Sequence, residues 1–123
     1  KKFNDTYGHL FGDLVLKTLS AFIMKTLRKE DIFARYGGEE FVILMPYTSL
    51  EQAREKAEDL RIGVSQLNIT DRVVSASVTI SVGVSTYPET ASRFQELIST
   101  ADDALYEAKN AGRNLVRVAK KRR

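Results

Sequence analysis

The chain of 123 residues contains no cysteine. That excludes disulfides and thiolate metal centres and agrees with a reducing compartment. It has no long apolar run, so no membrane span is expected within it. No secretory leader is visible either, so the expected location is the cytoplasm, with any membrane anchor belonging to a longer parent protein. Internal repeats, low-complexity segments and internal linkers are missing as well, which leaves one domain over residues 1–119 and a basic tail at 120–123. The net charge of +3 is misleading, because removing Lys120, Lys121, Arg122 and Arg123 leaves 15 basic and 16 acidic residues. Without a positive stripe across the body, and with no exposed aromatic pair in evidence, a nucleic-acid partner is not expected.

What remains is the composition of a soluble globular domain, 43% hydrophobic and 28% charged, long enough for one proper core. Asn4-Asp5-Thr6-Tyr7-Gly8-His9 reads as a turn. Gly12-Asp13 precedes an apolar set at Leu16, Leu19, Ile23 and Leu27, which predicts an amphipathic helix to about Lys29; a helix-start residue is one reading open to Asp13. Ser49-Leu50-Glu51-Gln52 is a capping-box pattern opening a second helix, with Ala53, Ala57, Leu60 and Val64 as its stripe and Gly63 as its terminator. Asn68 to Arg72 reads as a turn, and strict alternation from Val74 to Val84 predicts one long strand. Ser92-Arg93-Phe94-Gln95 offers another capping box, for a third helix with Phe94, Leu97, Ile98, Ala101, Leu105 and Ala108 inward. Gly112 closes that helix, Lys109 and Arg113 flank its negative end, and Leu115 to Val118 reads as a last strand.

The densest chemistry lies at Arg35-Tyr36-Gly37-Gly38-Glu39-Glu40-Phe41. Two glycines between strand-like runs Ile32–Tyr36 and Phe41–Met45 predict a tight hairpin. Two carboxylates directly after the turn are open to two readings: a solubilising rim, or a Mg²⁺ site serving a phosphate-bearing partner. The element order predicts an α+β fold with a mainly antiparallel sheet flanked by helices.

These segments together resemble the GGDEF domain family, which comprises bacterial diguanylate cyclases and their inactive relatives. Gly37-Gly38-Glu39-Glu40-Phe41 is similar to the family signature in its GGEEF form. Asn4 to His9 with Gly12-Asp13 resembles the nucleotide-binding turn and first helix, and Ser81-Val82-Gly83-Val84-Ser85 the later core strand. Ala101 to Lys109 with Gly112-Arg113-Asn114 resembles the final helix and its exit. The resemblance implies a fold similar to nucleotidyl cyclases and the polymerase palm. It also implies condensation of two GTP into cyclic di-GMP with release of two pyrophosphates. Mg²⁺ or Mn²⁺ as cofactor, a homodimer for turnover, and an upstream sensor domain absent from this chain are implied with it.

Carried over by position, Glu39 is the metal-binding carboxylate and proton acceptor, and Glu40 the second signature acid needed for activity. Asn4 and Asp13 match the residues that bind the guanine edge, where an amide and a carboxylate suit its N–H donors. His9 matches a position near the substrate, and Lys1, Lys109 and Arg113 match basic residues that reach the triphosphate. Arg28-Lys29-Glu30-Asp31 has the R-x-x-D form, ending five residues before Gly37, that marks the family's inhibitory product site; Arg28 and Asp31 would bind cyclic di-GMP there, with Arg61 considered as a further arginine.

The family's usual first strand, D-x-D-x-F before the lysine matched by Lys1, is not in this sequence. The expectation is therefore that these 123 residues alone are inactive or weak, while a parent protein with that strand is a cyclase. The alternative is a non-enzymatic domain acting as a receptor for cyclic di-GMP or GTP.

Overall fold

The computed structural model of the chain describes residues 9–71 and 75–120. They form three helices and six short strands: α1 (His9–Thr26), β1 (Ile32–Gly37), β2 (Glu40–Leu44), α2 (Leu50–Ser65), β3 (Ile69–Thr70), β4 (Ser75–Ala76), β5 (Val82–Val84), α3 (Glu96–Asn110) and β6 (Val116–Val118). The residues divide into two units, one running to Pro46 and resuming over Gln66–Val78, the other comprising Tyr47–Ser65 and everything from Thr79 onward.

In the first unit α1 buries Phe11, Val15, Leu19 and Ile23, an i, i+4 stripe, and packs against β3, whose Ile69 is fully enclosed. The stripe expected from Leu16 and Leu27 is thus displaced: Leu16 is half-buried, and Leu27 lies past the helix end at Thr26. Gly12 and Asp13 sit inside α1 and not before it, so Asp13 is no helix-start residue. The hairpin β1–β2 is antiparallel, and Phe33 stacks on Phe41 diagonally across it at 5.2 Å between ring centroids. Its register skips between Arg35 and Gly37, which bulges Tyr36 and pairs Gly37 with Glu40. The two-residue loop is therefore Gly38-Glu39, one position later than expected. Gly38 takes φ 51°, where glycine carries no Cβ penalty.

The long strand expected from Val74 to Val84 is broken. Val74 lies outside the described residues; Ser75–Ala76 pairs antiparallel with β3, and Val82–Val84 pairs parallel with β6. Half-buried and exposed residues still alternate from Ser75 to Ile80. Alternation records which face is covered, whereas a strand also needs a hydrogen-bonded neighbour, and residues 77–81 have no ladder among the described residues. Part of the expected turn at 68–72 is likewise β3.

In the second unit β5, α3 and β6 form a βαβ crossover, the connection that a parallel pair requires. Both strands pack against α2 and α3. Ala57, Leu60 and Val64 of α2 and Ala108 of α3 are buried, as their spacing predicts, whereas Ala104, outside the expected stripe, is buried and Leu97, Ala101 and Leu105 are only half-buried. Ser49 and Gln52 close the expected capping box: the Gln52 amide donates to the Ser49 hydroxyl at 3.1 Å, and the Ser49 amide to Gln52 Oε1 at 3.0 Å. Gly63 is within α2 and does not end it. At α3 the box is shifted by one residue, because Glu96 and not Gln95 receives the Ser92 amide and hydroxyl, at 3.1 and 2.8 Å. Phe94 and Ile98, expected inward, are exposed. A hydroxyl chain ties the segment after β5 to α3: Ser85 Oγ lies 2.5 Å from Thr100 Oγ1 and 2.8 Å from buried Thr90 Oγ1.

The α+β class expected from the sequence holds. The β5–β6 pair adds a parallel element to an otherwise antiparallel set, and no helix of the described residues is long and apolar enough to cross a membrane.

Candidate functional site

The hairpin turn separates the two signature acids. Glu39 occupies the turn itself and is exposed, while Glu40 opens β2, paired with Gly37 and half-buried. The Arg35 guanidinium donates to the Gly38 carbonyl from Nε at 2.9 Å and Nη2 at 2.6 Å, which pins the peptide that leads into Glu39. Its position three residues before Gly38 is the only sequence signal for that role.

Among the described residues no three His, Cys, Asp or Glu side chains gather as a metal-binding group. The donor set at the turn is thus an exposed carboxylate and not a protein cage. That fits Mg²⁺ or Mn²⁺, which are commonly held by one or two carboxylates plus substrate phosphates. Asp13 is exposed on α1, and His9 begins the described part of that helix. Lys1 and Asn4 lie outside the described residues.

Arg28 and Asp31 are brought together. After α1 ends, the chain turns with the Asp31 amide donating to the Arg28 carbonyl at 3.1 Å. The Arg28 fork donates to the Asp31 carboxylate from Nη2 at 2.7 Å and Nε at 3.1 Å, and the Arg28 amide donates to Oδ2 at 2.8 Å. Nη2 also reaches the Pro46 carbonyl at 2.9 Å. The hydrogen bond to Asp31, and then its charge, raise the Arg28 pKa above its ordinary value. The Asp31 side chain is 1% exposed and that of Arg28 42%, so the arginine presents the accessible part of the pair.

In the second unit Lys109 and Arg113 stand one turn apart at the end of α3, half-buried and exposed respectively. Gly112 is the expected C′ residue. Its amide donates to Lys109 O at 3.4 Å and that of Arg113 to Ala108 O at 3.0 Å, a Schellman motif. Three successive residues there have positive φ: Gly112 at 121°, Arg113 at 63° and Asn114 at 53°. Arg61 is engaged in this region, with Nη1 donating to Asn114 Oδ1 at 2.9 Å and Nε and Nη2 to Glu58 at 2.9 and 2.5 Å. The link between Arg61 and Asn114 spans 53 positions and has no sequence signature.

A family profile described as "Diguanylate cyclase, GGDEF domain" matches residues 1–115. Diguanylate cyclase A of Treponema denticola is 42% identical over 120 residues, covering 98% of this chain and 32% of that protein. Diguanylate cyclase DgcP of Pseudomonas aeruginosa is 42% identical over 119 residues, covering 97% of this chain and 18% of its own. The chain therefore spans a third or less of these curated relatives. The GGDEF domain of DgcB from Caulobacter crescentus, solved in complex with c-di-GMP, superposes with a TM-score of 0.88 at 31% identity, over 98% of this chain and 69% of that one. The active GGEEF domain of a diguanylate cyclase from Vibrio cholerae gives 0.86 at 28% identity, over 97% and 75%. With the hairpin signature, the paired Arg28 and Asp31 and the closed end of α3 in view, the chain belongs to the GGDEF family of diguanylate cyclase domains.

Proposed function

We propose that the protein containing this chain is a diguanylate cyclase, condensing two GTP into cyclic di-GMP and releasing two pyrophosphates, with residues 1–119 as its GGDEF domain. The observation that carries the reading is the exposed Glu39 carboxylate at the tip of a hairpin whose preceding peptide is held by Arg35. Glu39 takes the proton of a 3′-hydroxyl as that oxygen attacks the α-phosphorus of the other GTP. The bond from that phosphorus to the bridging oxygen breaks, and pyrophosphate leaves with the electron pair. Repetition with the roles exchanged closes the ring, which calls for two copies of the domain. A bound Mg²⁺ or Mn²⁺ supplies Lewis-acid neutralisation of phosphate charge. Glu40 supports Glu39, and Asn4 and Asp13 accept from the guanine edge, with His9 near the substrate. Lys1, Lys109 and Arg113 hold phosphate oxygens, and Arg28 with Asp31 binds the product as an inhibitor.

The test incubates the full-length protein with GTP and Mg²⁺ and detects cyclic di-GMP by mass spectrometry. Glu39→Gln is expected to lower the rate by about a hundredfold or more. Undiminished product from that variant, or no product from a folded parent dimer, overturns the reading.

A further inference from the structure

The exit of α3 carries a backbone conformation that its own sequence does not favour. Gly112 and Asn114 tolerate positive φ, but Arg113 has neither a missing Cβ nor a short amide side chain to ease its φ of 63°. A residue of this kind keeps such a conformation only when its surroundings over-determine it. Here the surroundings are explicit. The Arg113 amide donates to Ala108 O at 3.0 Å, which binds the turn to its own helix. The next residue is braced from two other elements. The Asn114 amide donates to Ser81 Oγ at 3.1 Å, just before β5, and the Asn114 side-chain oxygen accepts from Arg61 Nη1 at 2.9 Å. The same nitrogen lies 3.4 Å from the Asn114 carbonyl oxygen. Arg61 is itself fixed, because Glu58 one turn earlier on α2 takes its Nε and Nη2.

From this geometry we infer that Arg61 and Ser81 are positioning residues for Arg113: they hold Asn114 so that the preceding residue stays left-handed and its guanidinium is presented to a nucleoside triphosphate. The inference rests on the proposed role of Arg113 in binding the GTP phosphates. Arg61 touches no phosphate in this scheme; it acts through Asn114. A planar guanidinium suits the task, since one edge serves the Glu58 carboxylate while Nη1 remains for Asn114. Phosphate binding by Arg113 depends on direction as well as charge, so a loosened turn weakens substrate binding while the reacting groups of the hairpin are untouched.

The test uses the full-length protein and steady-state kinetics with GTP, together with amide hydrogen exchange. Arg61→Met keeps the stem and removes the fork. It is expected to raise KM for GTP about tenfold with kcat changed less than about twofold. Amide exchange at residues 113–115 should quicken while the centre of α3 keeps its protection. Arg113→Met should raise KM to a similar degree, and the double variant should be no worse than Arg113→Met alone. If Arg113→Met leaves KM unchanged, the phosphate reading of Arg113 fails. If Arg113→Met raises KM but Arg61→Met does not, or if the two effects simply add, the positioning role is wrong. Should Arg61→Met not fold, Ser81→Ala removes the other brace, with an expected KM increase of about threefold and the same non-additivity with Arg113→Met. Additivity there also overturns the inference.

Discussion

A Cβ placed on Gly83 would lie 2.1 Å from the Ala101 carbonyl oxygen and 2.5 Å from the Leu105 amide nitrogen. Helix α3 thus rests directly on the backbone of β5, and the obstacle is main chain that cannot rotate away. Gly83→Ala should destabilise the fold by about 2–3 kcal/mol, read from denaturant unfolding, through displacement of α3 from the strand. A variant as stable as the parent would show that the two elements separate without cost.

At the hairpin, Gly38→Ala places a side chain at φ 51° with open space around it, so the penalty is conformational and not steric. The expected loss is about 1–2 kcal/mol, measured by thermal unfolding. If the turn shifts to relieve the strain, Glu39 moves with it, and the cyclase rate should fall more than the stability change alone explains.

Ser49→Ala removes the hydroxyl that receives the Gln52 amide and should cost about 1 kcal/mol. Ser49→Asp should restore most of it, because a carboxylate also caps and meets the positive end of α2. Chemical denaturation of the two variants side by side makes the comparison.

Asp31→Ala leaves the Arg28 amide and guanidinium without the carboxylate that receives both. If Arg28 and Asp31 form the proposed product site, cyclic di-GMP affinity by calorimetry should drop by about tenfold or more, and the proposed product inhibition should weaken in parallel. Unchanged affinity would place the product elsewhere.

The pair formed by Glu58 and Arg61 responds to acid. The hydrogen bond from Arg61 is the largest influence and, with the charges of Arg61 and Arg54, holds the Glu58 carboxyl below its ordinary value of 4.5 against the opposing effect of desolvation. A depressed carboxylate pKa contributes stability that is fully present above 4.5 and is lost as pH falls through the lowered folded value. Amide exchange at residues 113–115, corrected for its intrinsic pH dependence, should therefore keep the same protection from pH 5 upward and lose it in stronger acid. Glu58→Gln should show weaker protection already at pH 5.

Interactions of short range are the ones that the amino-acid spacing predicts. The Ser49–Gln52 box, the Gly112 terminus and the existence of the hairpin all follow from residues within five positions of one another, where spacing alone decides who can meet. The hairpin loop slipped by one residue because the bulge at Tyr36 is set by pairing with β2, and that moved Glu39 from a strand into the turn. The alternation from Val74 to Val84 correctly marked covered and open faces, but which neighbour each half pairs with is a long-range matter: β3 for one, β6 for the other. Local motifs and their order suffice for the family and the α+β class. The reach of Arg61 to Asn114 across 53 positions and the seating of α3 on Gly83 are set by packing. Hydrogen bonds and close backbone approaches between distant segments leave no periodic trace in the chain, so they emerge only when the elements pack.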